Sequence, residues 1–297
     1  MSDANEWTVG RLLTWTTDYL KQHGASSPRL DAEVLLAAAR SCERIQLYTA
    51  FDQVADEATR TVFRDSVRRR AAGEPVAYLV GHREFFSLSF QVTRDVLIPR
   101  PETEHLVVEC LDLLKKRPAG AEPAQVVDVG VGSGAIAVSV AKHAAGCRLT
   151  AIDLSEPALE VARTNAQRHQ VADRIEFLHS DLLAEIPPAA HYDVIVSNPP
   201  YVSQDEWEQL SADVRNFEPP LALIGGPTGS ETIGRLVPQA AERLRPGGWL
   251  LLEISPMTEA AVRQLLTQDG RFQLLPTVKD LAGLPRVIKA QRCESGP

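Results

Sequence analysis

The sequence predicts an α/β fold: a mostly parallel sheet with helices on both faces, preceded by a small helical domain and a β-hairpin linker. Three observations carry this. From Gln125 onward, short β-rich runs alternate with helical stretches, the pattern of parallel strands joined by helical crossovers. The first run enters the first helical stretch through a glycine-rich turn, "VVDVGVGSGAIAV". Residues 8 to 72, by contrast, carry helical periodicity alone.

In chain order, Val9, Leu12, Leu13, Thr16 and Leu20 mark one helix face, and Gly24 follows its end. Ser27-Pro28 reads as an N-cap with proline in the first helical position, opening "RLDAEVLLAAAR". "DEATRTVFRDSVRRRAAG" is a further helix closed by Gly73, with "RRR" at 68 to 70 on a solvated face or a docking face. The period then changes: "REFFSLSFQVT" alternates as a strand, and "DVLIP" is the expected second arm of a hairpin. A helix from Glu102 to Lys116 follows Pro101, and "RPAGAEP" is a connector. The expected organisation is a helical domain over 1–80, a linker over 81–99 and an α/β domain over 100–297. "RFQLLPTV" and "RVIKAQR" at the end have no helix between them, so one strand is expected to run antiparallel at the C-terminal edge.

Composition narrows the function. A charged fraction of 24% beside 44% apolar residues argues for a folded globular chain. With 31 basic and 39 acidic residues the net charge is −8, which weighs against a surface that coats nucleic acid. Cys42, Cys110, Cys147 and Cys293 are scattered without a ligand spacing, so they read as reduced thiols and no metal is expected. No apolar run reaches the about 18 residues of a membrane span, and the N-terminus lacks a signal-peptide core, so a cytoplasmic protein is expected.

The glycine turn by itself fits two cofactor classes. Gly130, Gly132 and Gly134 allow close approach and unusual dihedrals, yet Gly130 to Ala135 also satisfies the G-x-G-x-x-A dinucleotide pattern. Asp153, about 20 residues on at the end of the next strand, suits a ribose hydroxyl in either case. A P-loop is excluded because no Gly-Lys-Ser/Thr follows. Asp128 completes D-x-G-x-G-x-G, which resembles the first motif of Rossmann-like methyltransferases, and Asp181 ends the third strand, where such enzymes hold adenine. Any one of these acids could be a turn or cap residue; three of them at strand ends beside a glycine loop point to S-adenosylmethionine.

"IVSNPPYVS" follows the fourth strand, where ligands of open α/β sheets bind. A planar amide or aromatic amine is a poor nucleophile because its lone pair is delocalised. Two acceptors that bind its N–H hydrogens let the nitrogen pyramidalise toward an electrophilic methyl group. The side-chain oxygen of Asn198 and the carbonyl of Pro199 suit those roles. Asn198 is held extended by the proline after it, and Pro199 and Pro200 add no competing donor. Tyr201 can cover the flat face of the planar group and exclude water. Positioning and dipoles then suffice, without a strong base.

Nearly the whole chain resembles the bacterial release-factor glutamine methyltransferases (HemK-like). "SPRLDAEVLLA", "GEPVAYLVGHREFFSLSFQVTRDVLIPRPETEHLV", "DVGVGSGAIAV", "SNPPYV", "NFEPPLALIGG" and "KDLAGLPRVI" carry the likeness. The resemblance implies a Rossmann-like class I methyltransferase sheet and transfer of a methyl group from S-adenosylmethionine, leaving S-adenosylhomocysteine. The acceptor it implies is the side-chain nitrogen of the Gly-Gly-Gln glutamine in class-1 peptide release factors. It assigns the cofactor to Gly130, Val131, Gly132, Ser133, Gly134, Asp153, Asp181, Leu182 and Asn198, and the glutamine pocket to Asn198, Pro199, Pro200 and Tyr201. It also implies a helical N-terminal domain that docks the release factor, a monomer, no membrane and no direct nucleic acid. Val131 stands where much of the family has Thr, and Glu253-Ile254-Ser255 where it tends to Glu-x-Gly. Arg100, Glu102 and Glu104 fall in a family block with no assigned role, while His82, His105 and His191 lack the pattern of a base. The alternatives are a ribosomal-protein glutamine methyltransferase, an adenine-N6 nucleic-acid methyltransferase and an inactive cofactor-binding scaffold.

Overall fold

A computed structural model describes residues 6–118 and 120–294. The chain divides into two units, Met1–His82 with Ser211–Phe217, and Arg83–Leu210 with Glu218–Pro297. Among the described residues no helix is long and apolar enough to cross a membrane.

The first unit is helical: α1 (Val9–Gln22), α2 (Pro28–Ala39), α3 (Arg44–Thr49), α4 (Glu57–Ala71) and α5 (Val76–Val80). In α1 the buried face includes Val9, Leu12, Leu13, Thr16 and Leu20, the set expected from the spacing. Pro28 opens α2 as expected, though Ser27 makes no side-chain cap. "RRR" does not form one solvated face. Consecutive helical residues point about 100° apart, so the three arginines diverge. Arg69 grips Glu74 through two N–H groups and stays exposed with Arg68 beside Asp65, while Arg70 alone turns inward to reach Asp31 of α2 at 2.8 Å.

From Arg83 on the chain belongs to the second unit, and β1 (His82–Phe85) and β2 (Leu88–Gln91) form a two-stranded sheet. The hairpin is tighter than the sequence reading, because the chain reverses inside "REFFSLSF" and "DVLIP" is not a strand. Phe86 and Ser87 both adopt positive φ, 49° and 60°, as a two-residue primed turn requires. No Asn-Gly marks this turn, so composition could not reveal it. The Ile98 N–H within "DVLIP" goes instead to the Glu218 carboxylate at 3.2 Å.

The remaining elements are α6 (Glu104–Lys115), β3 (Ala124–Val129), α7 (Ala135–His143), β4 (Cys147–Asp153), α8 (Glu156–Arg168), β5 (Ile175–His179) and β6 (Tyr192–Ser197). They continue with β7 (Val202–Ser203), α9 (Gln204–Trp207), α10 (Ala212–Phe217), β8 (Ile224–Gly226), α11 (Glu231–Arg243) and β9 (Leu244–Glu253). The last are α12 (Glu259–Asp269), β10 (Phe272–Leu274), β11 (Val278–Lys279) and β12 (Pro285–Arg292). Of these, α10 belongs to the first unit. The main sheet runs β10-β12-β9-β6-β3-β4-β5, with β11 paired to β12. β12 is antiparallel to both β9 and β10, and sits one place in from the outermost strand. Its Val287, Ile288 and Ala290 are fully buried, which is why this arm of the C-terminal pair lies inside.

The sheet separates two apolar layers. Val126 of β3 faces a core with Leu106 and Val107 of α6, Val138 of α7 and Leu159 of α8. Its neighbours Val127 and Val129 face the other core, with Ile233 and Leu236 of α11 and Val262 of α12. Burial on both faces explains why the adjacent Val126 and Val127 are both apolar instead of alternating with polar residues.

Candidate active site

The site is laid out by strand register. Val129 of β3 pairs with Ile152 of β4 and with Ser197 of β6, and Ser197 pairs with Leu252 of β9. The next residue on each strand is therefore Gly130, Asp153, Asn198 or Glu253, all on the carboxyl rim. Connections leave β3 toward β4 on one side and return to β6 on the other, so the crevice between β3 and β6 is the switch point where open α/β sheets bind ligands. A cleft opens there, lined among others by Gly130, Val131, Gly132, Ser133, Asp153, Asp181, Leu182, Asn198 and Pro200. Gly134, Pro199 and Tyr201 are not among its lining residues.

Gly134 has another duty. Its φ of +83° is left-handed, and an added Cβ would lie 3.3 Å from the Ala162 backbone and from Val138 Cγ2. It lets α8 pack close against the start of α7. Because Gly134 has no side chain with which to cap α7, Asp128 does so: its Oδ2 accepts from Ala137 N at 3.0 Å. Asp128 is fully buried and its Oδ1 has no partner among the described residues. Burial pushes its carboxyl up to about 7, with Asp153 adding repulsion and the Ala137 bond opposing. The acid at the head of the glycine motif thus fastens β3 to α7, outside the cleft.

Asp153 does face the cleft. Its Oδ2 accepts from Gly132 N and its Oδ1 from Ser155 N, each at 2.9 Å. Burial raises its pKa and these bonds hold it back. Gly130 N and Val131 N both bind Ile152 O at 2.8 Å, which folds the loop over the end of β4. Val131 packs its side chain into the core that contains α6, α7 and α8, so the place of a hydroxyl is taken by apolar contact. Asp181 sits further along the rim, ion-paired to Arg235 of α11 at 2.5 Å. Leu182 follows at a φ of +54°.

Asn198 lines the cleft, and its Nδ2 donates to the Thr103 hydroxyl at 3.2 Å. Its Oδ1 has no protein partner among the described residues. Tyr201 turns its hydroxyl to Glu253 Oε1 at 3.3 Å, so the ring is tethered to the end of β9. Glu253 is 1% exposed. Burial drives its carboxyl up to about 7, while Thr103, Tyr201 and Arg286 pull it down and Glu102 pushes it up.

Several residues around the site carry no local signal of a role. Glu218 holds both the Ile98 N–H and the Arg100 guanidinium, the latter at 2.5 Å, so "IPRPETE" is tied to "NFEPP". Glu104 accepts from Phe86 N at 2.9 Å and secures the hairpin turn. At Gly225 a Cβ would fall 2.4 Å from Pro200 O, so the second glycine-rich block exists to run flush against the segment after β6. Ser255, the other departure from the family pattern, turns the chain toward α12 by accepting from Thr258 N at 3.3 Å. Among the described residues no cluster could hold a metal, and the four cysteines are free.

Two predictions follow from these contacts. The folded state keeps protons on Asp128 and Glu253 that the unfolded chain releases near pH 4. Unfolding free energy therefore falls as pH rises from about 4 to 7, by roughly 4 kcal/mol for Asp128, and levels off above. Asp128→Asn is expected to remove its share of that slope. Urea unfolding at pH 5 and pH 8 checks this, and an undiminished slope refutes it. Glu218→Ala strands the Arg100 charge and the Ile98 N–H, and is expected to cost about 3 kcal/mol in the same assay; a loss below about 1 kcal/mol would assign Glu218 no bracing role.

The chain is similar to known proteins along most of its length. A family model described as PrmC N-terminal domain matches residues 11–81, and one described as methyltransferase small domain matches residues 105–214. The release factor glutamine methyltransferase of Rhodopirellula baltica is 48% identical over 291 residues, 98% of each chain. That of Koribacter versatilis is 41% identical over 276 residues, 92% of this chain and 95% of its own. Among solved structures, the Thermus thermophilus 16S rRNA methyltransferase RsmC, in complex with AdoMet and guanosine, aligns with a TM-score of 0.52. At 21% identity, over 71% of this chain and 49% of that one, it speaks for the fold alone.

Proposed function

This chain belongs to the release factor glutamine methyltransferases, and on that premise we propose that it methylates the side-chain amide nitrogen of the Gly-Gly-Gln glutamine in class-1 peptide release factors. The observation that carries the reading is the Asn198 carboxamide in the cleft, with its Nδ2 engaged by Thr103 and its Oδ1 left to accept.

S-adenosylmethionine suits the acceptor groups of the cleft. Each Asp153 oxygen holds one backbone N–H and keeps a second acceptor site, which matches the paired hydroxyls of a ribose. Asp181 keeps Oδ1 outside its bond to Arg235, an acceptor for the adenine amino group beside Leu182. Gly130, Val131, Gly132 and Ser133 form the wall for the rest of the molecule. When bound, the cofactor supplies an electrophilic methyl group on a sulfonium and leaves as S-adenosylhomocysteine.

The chain's own residues supply the rest. Asn198 Oδ1 and the Pro199 carbonyl accept the two N–H hydrogens of the glutamine amide and free its lone pair. Pro199 and Pro200 hold that backbone stiff without offering a donor. Tyr201, fixed by Glu253, braces the segment behind the pocket. Leu97, Leu221 and Ile224 give the cleft an apolar rim that keeps water from the amide. The helical unit provides further contact to the release factor, and the enzyme works as a cytoplasmic monomer.

Incubation with labelled S-adenosylmethionine tests the reading directly. A class-1 release factor is expected to gain one methyl group on its Gly-Gly-Gln peptide, read by mass spectrometry. Label in duplex DNA, or undiminished label in a Gln→Ala release factor, would refute it.

A further inference from the structure

We propose that Arg235 of α11 is a positioning residue for the cofactor, holding the Asp181 carboxylate so that its Oδ1 meets the amino edge of adenine. The inference rests on the S-adenosylmethionine reading above and adds to it a residue from another element. Arg235 and Asp181 both line the cleft, and the Arg235 guanidinium meets Asp181 Oδ2 at 2.5 Å across 54 residues of sequence. Oδ1 accepts nothing from the described residues.

Asp181 needs such a hold. It follows β5 on a loop, with its side chain 46% exposed. Left alone, a carboxylate there samples several rotamers, and ordering it would count against ligand binding. The guanidinium does that ordering beforehand and decides which oxygen is left over. An ionised carboxylate only accepts and the adenine amino group only donates, so the free oxygen and that group match. A purine laid over Asp181 also strips water from it. The charge of Arg235 at Oδ2 offsets that loss.

A second contact from the same helix fixes the backbone of the loop. Leu183 N donates to Gln239 Oε1 at 3.0 Å, and Gln239 Nε2 donates in turn to Arg235 O at 3.1 Å. Gln239 stands about one turn after Arg235, so both project from one face of α11. That face clamps the side chain at 181 and the main chain at 183. Between them Leu182, which lines the cleft, takes a φ of +54°, a left-handed value that costs a leucine energy and needs neighbours to hold it. From the other direction Ser180 N donates to Asp153 O at 3.0 Å, so the loop is also tied to the end of β4.

The test is calorimetry of the full-length enzyme with two ligands, S-adenosylhomocysteine and its analogue carrying hydrogen in place of the 6-amino group. Arg235→Ala is expected to weaken S-adenosylhomocysteine about five- to tenfold, and Asp181→Ala about tenfold or more. Both variants are expected to bind the amino-free analogue within about twofold of wild type, because the contact they serve is missing from it. Arg235→Lys, which keeps a charge within reach of Oδ2, recovers most of the affinity. An unchanged Kd in Arg235→Ala overturns the proposal. So does an equal loss for both ligands, the mark of a cleft damaged in general, or a loss that lysine does not recover. If the wild-type enzyme does not bind S-adenosylhomocysteine, the cofactor reading itself fails. If it binds both ligands equally well, the adenine role of Asp181 fails and the proposal with it. If it prefers the amino group and Arg235→Ala keeps that preference, only the positioning role fails.

Discussion

Asn198→Ala is expected to lower kcat by about a hundredfold to a thousandfold, near 3 to 4 kcal/mol of transition-state stabilisation. The glutamine amide has no strong nucleophile to offer and no strong base beside it, so its activation depends on acceptors aimed where the N–H groups gain acidity. Removing the Asn198 oxygen takes away one of two such acceptors. The Pro199 carbonyl remains, which is why the loss is bounded. Cofactor affinity is expected to change little, because Asp153, the glycine loop and Asp181 stand on other strands. Calorimetry beside single-turnover kinetics separates the two quantities. A Kd that rises in step with the fall in kcat would reassign Asn198 to cofactor binding.

Asp153→Ala is expected to act on the other quantity, weakening S-adenosylhomocysteine binding by about a hundredfold or more. Two hydrogen bonds to a charged carboxylate at roughly 1.5 kcal/mol each give that magnitude. A further loss arises within the protein, since Gly132 N and Ser155 N would both lose their acceptor. The loop that carries Gly130 to Ser133 would then be ordered at the ligand's expense. Isothermal titration provides the measurement, and a Kd within about threefold of wild type would show that Asp153 serves the loop alone.

The parts of the site that were legible in the sequence are those built from neighbours along the chain. Strand, glycine turn and helix start lie within one short run, and Asn198 with its prolines within another. Thr103, Glu218 and Glu253 gave no such signal. Their partners lie 95 and 120 residues away for Asn198–Thr103 and Ile98–Glu218, and only sheet order decides that β9 runs beside β6. Asp128 was legible as part of a motif and as one of three candidate turn or cap acids, but which of them caps a helix was not, because the bond to Ala137 depends on how α7 leaves the loop. The hairpin was missed by half its length for a local reason: Phe86 and Ser87 take dihedrals usually reserved for glycine and asparagine. The arginine triplet was legible in part: Arg68 and Arg69 stay in solvent, whereas the helix turns Arg70 inward to Asp31, a partner 39 residues away.

The level ending of four adjacent strands has a consequence for how such a chain can vary. Loops beyond the rim can lengthen or shorten without disturbing the alignment of Gly130, Asp153, Asn198 and Glu253. A single deletion inside β6 cannot, since it would draw Asn198 back by about 3.3 Å and turn every following side chain to the opposite layer. Diversity among relatives should gather in the connections, while strand lengths act as the ruler by which the chemistry is spaced.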